Sequence, residues 1–171
     1  MQVQTMTPTV GKADVVALVE SGLEFGREIC CELRLAEERE WIVTNGIGGF
    51  AFGTVAGSLT RRYHGLLIAA LDPPLGRTLM AAKLDEDVEY DGHTYPLYTN
   101  RWSGGTLAPE GCPQIEQFRL DDGIPTWTFA MADALIEKRI TMCYGSNTTV
   151  VEYRLLRASA SVRMWLKALV N

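Results

Sequence analysis

Apolar residues in this chain come in short bursts at two-residue spacing, the pattern of half-buried strands. Ile29, Cys31, Leu33 and Leu35 share one side of an alternating segment, which predicts a strand over 29–35. Trp41-Ile-Val-Thr44 predicts a short strand stopped by Asn45-Gly46. Residues 65–71 are apolar throughout, as in a strand buried on both faces. Val88–Tyr90 and His93–Tyr95 flank Asp91-Gly92, the signal for a hairpin with a two-residue type I′ turn. Phe118–Leu120 and Thr126–Phe129 flank a longer turn over Asp121–Pro125. Ala134–Met142, Thr148–Leu156 and Val162–Val170 complete the series, parted by Gly145-Ser146-Asn147 and by Arg157–Ser161.

Strands at this spacing predict an all-β fold, an antiparallel β-sandwich. The first residues differ. Residues 1–11 read as a loose leader. Residues 13–23, with Val15, Val16, Leu18 and Val19, read as the one short helix. The expected organisation is therefore a leader and short helix over 1–23, then a sandwich domain over 24–171.

Bulk properties narrow the function. The 171 residues are one domain's worth, and 47% are apolar, enough for a single core. A net charge of −5 with scattered cations argues against nucleic acid and against an anionic membrane surface. Cys30, Cys31, Cys112 and Cys143 form no CxxC pair, and His64 and His93 are the only histidines. Neither a zinc site nor any other cofactor is expected. Reduced cysteines and the lack of a secretory h-region point to the cytoplasm.

The stretch from Trp41 to Thr60 carries no charge and five glycines, and Arg61, Arg62, Tyr63 and His64 follow at once. Its length suits a membrane span, but Thr44, Asn45, Thr54, Ser58 and Thr60 and the glycines do not. Asn45-Gly46-Ile47-Gly48-Gly49 lacks the Lys-Ser/Thr of a phosphate loop, and no helical pattern follows it as in a dinucleotide fold.

The order of signals is more specific than any one loop. It runs Glu40-Trp41-x-x-Thr44-Asn45-Gly46-x-Gly48-Gly49, then Gly53-Thr54-Val55-x-Gly57, then Thr60-Arg61-Arg62-Tyr63-His64-Gly65-Leu66-Leu67. Pro73-Pro74-x-Gly76-Arg77, Phe118-Arg-Leu120, Ile124-Pro125-x-Trp127 and Glu137-Lys-Arg139-x-x-Met142 follow in turn. This closely resembles the N-terminal domain of bacterial and archaeal glycogen-debranching enzymes of the amylo-α-1,6-glucosidase type, over roughly residues 24–171. The chain departs from that family at Phe52 and at Ala108-Pro109-Glu110-Gly111-Cys112. The resemblance implies a supersandwich-like domain beside an (α/α)6 barrel that carries the glucosidase chemistry. That barrel is expected to lie outside these residues. An α-glucan and the barrel are the implied partners, and an apolar surface left exposed without the barrel would favour a second copy meeting through that interface.

No catalytic residue is expected in this chain. Asp85, Asp87 and Glu89 alternate onto one face, read as solvated, with Leu84, Val88 and Tyr90 serving the core. Asn45, Gly46, Gly48, Gly49, Arg61, Arg62, Tyr63, His64 and Trp102 are the candidates for binding sugar or meeting the barrel. The arginines offer planar donor forks and Tyr63 a stacking ring. The bland alternative for Arg61, Arg62 and His64 is local anchoring. The glycine loop is expected beside the arginines. Trp41, Trp102, Trp127 and Trp165 are platform or core residues, with Trp102 the one expected at the surface.

Overall fold

The computed structural model describes residues 22–171. The leader and all but the end of the segment read as a helix, residues 1–21, lie outside the described residues. In chain order the strands are β1 (Glu24–Phe25), β2 (Glu40–Thr44), β3 (Phe50–Thr54), β4 (Gly65–Asp72), β5 (Leu75–Tyr90) and β6 (His93–Pro96). Then follow β7 (Ile115–Asp121), β8 (Ile124–Met131), β9 (Ala134–Met142), β10 (Thr149–Arg157) and β11 (Arg163–Val170). One sheet runs β1-β7-β8-β9-β10, the other β11-β5-β4-β3-β2, with β6 pairing to the end of β5. All pairings are antiparallel, so the expected all-β sandwich is the fold.

Turn chemistry sets the hairpins. Asp91 and Gly92 both take positive φ, 49° and 73°, joining β5 to β6 by the expected turn. The Asp121–Pro125 loop is shorter than expected. Asp122 and Gly123 alone make the turn, at φ 51° and 79°, and Ile124-Pro125 already belongs to β8. Pro125 is the second residue of that strand, opposite Leu120, where a missing N–H costs little.

One element was misread. Residues 29–35 do not form a strand but parts of two short helices, α1 (Arg27–Cys30) and α2 (Leu33–Glu37). Helical packing needs apolar residues three or four apart, and Cys30, Leu33 and Ala36 supply them. The run Leu33-Arg-Leu-Ala-Glu is made of strong helix formers, and Arg34 pairs with Glu38 one turn on at 2.6 Å.

The core lies between the sheets. Trp127 sits at its centre, edge-on to Trp41 at 5.4 Å and to Phe118 at 5.0 Å. Each buried indole N–H is satisfied: Trp41 donates to the Thr54 carbonyl at 3.1 Å and Trp127 to that of Val55 at 2.9 Å. Each aromatic stabilises the fold by about 2–3 kcal/mol through burial, and these bonds add direction. Two of the four tryptophans are therefore core.

The acidic strand β5 also departs from expectation. Asp85 is buried, not solvated, because residues 97–100 fold over it. Lys83 reaches Asp85 at 3.0 Å, the Thr99 carbonyl at 3.0 Å and Asn100 at 2.7 Å. Glu86 points the other way, into the core. It takes an ion pair from Lys138 on β9 and a 2.7 Å hydrogen bond from the Tyr153 hydroxyl on β10. Its Oε2 has no hydrogen-bond partner among the described residues, and the group lines a cavity of about 50 Å3 between the sheets.

Candidate functional site

The candidate residues divide between the two ends of strands β2 and β3. At one end lies the loop joining them. Asn45 is fully buried there. Its Oδ1 accepts from the Ile47 and Gly49 amides at 3.1 and 2.9 Å. Its Nδ2 donates to the Ser146 carbonyl and to Asn147 Oδ1, both at 3.0 Å, across in the β9–β10 turn of the other sheet. Asn147 in turn exchanges hydrogen bonds with both backbone groups of Ala70 on β4. Every polar atom of Asn45 is thus used inside the chain, so this loop is a latch between sheets.

The glycines of the latch serve the same packing. Gly46 takes φ +78° with the Tyr144 ring where a Cβ would stand. Gly48, at φ +97°, lies against Pro74 and gives its carbonyl to Arg77 at 3.1 Å. A Cβ on Gly49 would lie 2.5 Å from Asn45 Nδ2 and 2.7 Å from Asn147 Oδ1. The close approach that these glycines permit is to the protein itself, Gly46 and Gly49 to the β9–β10 turn of the second sheet and Gly48 to the β4–β5 turn of its own.

At the other end, roughly 15 Å away along five strand residues, lie Arg61 to His64. The glycine loop and the arginines are not neighbours, against expectation. His64 is buried and locally satisfied. Its Nδ1 accepts from the Thr60 and Arg61 amides at 3.0 and 3.3 Å, which assigns the proton to Nε2, 3.0 Å from Glu40. Phe52 packs edge-on against the ring at 4.5 Å. Burial holds the imidazole below its ordinary pKa, more strongly than Glu40 raises it. Arg61 also anchors to Glu40, at 2.5 Å. His64 and Arg61 therefore take the anchoring role.

Arg62 and Tyr63 are different. Both are exposed, Tyr63 at 51%, and the Arg62 guanidinium lies 5.7 Å over the Tyr63 ring. Neither side chain has a hydrogen-bond or ion-pair partner among the described residues. Trp102 belongs to the same end. Glu37 accepts from Ser58 at 2.8 Å and from Arg101 at 2.7 and 2.9 Å, tying the 55–64 loop to the 101–107 loop. Trp102 donates its indole N–H to the Ala108 carbonyl at 2.7 Å and the residue is 57% exposed. Arg62, Tyr63 and Trp102 are thus exposed groups on a rim made of the two loops that Glu37 ties together.

Glu37 and Glu40 organise this rim and were not among the candidate residues, although Glu40 opens the signature run quoted from the sequence; Glu37 carries no signal but its place just ahead of that run. The remaining groups offer little chemistry. Burial pushes the Cys30 thiol up to about 11 and that of Cys112 up to about 12, so neither is a ready nucleophile. Among the described residues no group of three or more His, Cys, Asp or Glu is placed to hold a metal ion. No described helix is long and apolar enough to cross a membrane.

A family model described as glycogen debranching enzyme N terminal matches residues 39–171. No curated protein and no solved structure matches the chain.

Proposed function

The chain belongs to the glycogen debranching enzyme N-terminal family, and from that premise we propose that it is a non-catalytic module. It supports a catalytic barrel of a cytoplasmic glucosidase acting on α-1,6 branch points and lines the glucan entrance with the Arg62–Tyr63–Trp102 rim. The observation that carries this reading is the rim itself. Exposed aromatic faces beside a guanidinium without a hydrogen-bond or ion-pair partner among the described residues suit a pyranose ring and its hydroxyls. The carboxylates give no support to independent hydrolysis, since Asp85 and Glu86 are buried against lysines.

Two measurements test it. The purified chain should release no glucose from limit dextrin, and turnover would overturn the non-catalytic assignment. Affinity electrophoresis in glycogen gels should show retention that Arg62→Ala and Trp102→Ala each weaken. Unchanged retention in both variants would remove the rim from the glucan path. Strong retention by the isolated chain would favour a free-standing α-glucan-binding module, a reading to which the exposed Trp102 ring lends itself.

A further inference from the structure

We propose that His64 is the positioning residue of the rim, and that a proton on its Nδ1 releases Arg62 and Tyr63 from the places in which the neutral ring holds them. The effect on glucan binding rests on the glucan reading; the release of the turn does not.

Arg61 to His64 form one turn, closed by the His64 amide donating to the Arg61 carbonyl at 3.1 Å. Arg62 and Tyr63 are its two central residues, so the direction of both side chains depends on how that turn is held. The imidazole supplies a second hold. Its Nδ1 accepts from the Thr60 amide at 3.0 Å and from the Arg61 amide at 3.3 Å, folding back over the turn that His64 ends. The ring itself is fixed from behind. Nε2 donates to Glu40 at 3.0 Å and Phe52 packs edge-on at 4.5 Å. Among the described residues the one further side-chain tie on residues 60–63 is that of Arg61 to the same Glu40 oxygen.

A neutral imidazole has one ring lone pair, and here both amides share it. The imidazolium has none. A proton on Nδ1 turns the acceptor into a donor that faces two other donors, so both bonds fail together. Glu40 and Phe52 hold the ring, and the turn is the part that can yield. Residues 59–63 are all exposed, so they can lift into water without opening the core behind His64. The charged groups acting on the ring are Glu40 of β2, which favours the proton, and Arg61 of the turn, which opposes it; β3 presents the uncharged Phe52. Burial outweighs Glu40 and lowers the pKa, so the turn is held at neutral pH and released on the acid side of 6.5.

Proton–nitrogen NMR of the purified chain from about pH 7 to about pH 5 tests the release. The Thr60 and Arg61 amides should shift, and lose hydrogen-exchange protection, at the midpoint where the His64 ring titrates. The Ile47 and Gly49 amides of the latch should not follow. His64→Gln keeps an acceptor oxygen without a titrating group, and its Thr60 and Arg61 resonances should stay flat. Glu40→Gln should move the midpoint to lower pH. Retention in glycogen gels should fall at the wild-type midpoint toward that of Arg62→Ala, with no such step in His64→Gln. A His64 ring that titrates without moving the two amides would overturn the proposal, as would amides that shift equally in His64→Gln. Glycogen retention that stays constant while the amides move would overturn the positioning role. Absence of retention at every pH would count against the glucan reading instead, and the amide titration would still decide the release of the turn.

Discussion

The two ends of β3 come from one uncharged, glycine-rich stretch of sequence and do opposite things. At the Asn45 end both side-chain polar atoms are spent inside the chain, Oδ1 on its own loop and Nδ2 on the opposite sheet, and the glycines make room for that packing. At the Arg62 end two glutamates absorb Arg61, His64, Ser58 and Arg101, and the surplus, Arg62, Tyr63 and Trp102, faces outward. Satisfaction inside the chain is what separates an architectural group from one free to bind. Residue type does not, since arginines lie on both sides of that line.

Four substitutions probe the contrast, in order of expected effect. Asn45→Ala strands two amides, a carbonyl and Asn147, and should cost about 3 kcal/mol in urea unfolding. Gly49→Ala needs no positive φ but drives a methyl group into the Asn45 and Asn147 side chains, for a loss of about 2 kcal/mol. His64→Gln should cost about 1.5 kcal/mol at neutral pH and remove a pH dependence. Burial lowers the folded imidazole below its ordinary 6.5, so the unfolded chain binds the proton first. Stability attributable to His64 is complete above that value and is lost as pH falls through the folded pKa. The wild type should therefore weaken more steeply than His64→Gln between pH 7 and 5, and parallel curves would contradict the buried neutral ring. Arg62→Ala should leave stability within about 0.5 kcal/mol of wild type and act on glycogen retention alone. A larger loss of stability would move Arg62 to the architectural side.

Local signals were legible in the sequence where a local cause set the structure. Asp91-Gly92 dictates its turn because few other pairs tolerate two positive φ angles. The apolar run at 65–71 announces a strand covered on both sides. Residues 29–35 misled because their side chains alternate by accident, while Cys30, Leu33 and Ala36 carry the packing. The acidic strand misled for a different reason. Alternation sorts Asp85 from Glu86 by face, but nothing local says that residues 97–100 cover one face or that Lys138 and Tyr153 await on the other. Asn45 was read as a binding or interface group; that its Nδ2 partners lie in another hairpin is something no local signal announces.

The separation of those partners has a kinetic consequence. Asn45 meets Ser146 and Asn147 across 101 and 102 residues of chain. Closing so long a loop costs roughly (3/2)RT ln n in chain entropy before any contact repays it. The β2–β3 and β9–β10 hairpins close locally and should form ahead of the junction between them. The latch should therefore engage after the rate-limiting barrier. Asn45→Ala should accelerate unfolding and leave the folding arm of a denaturant chevron nearly unmoved. A slowed folding arm would instead make this asparagine part of the nucleus. In the first case what the latch governs is the lifetime of the native sandwich, with little influence on how fast it is reached.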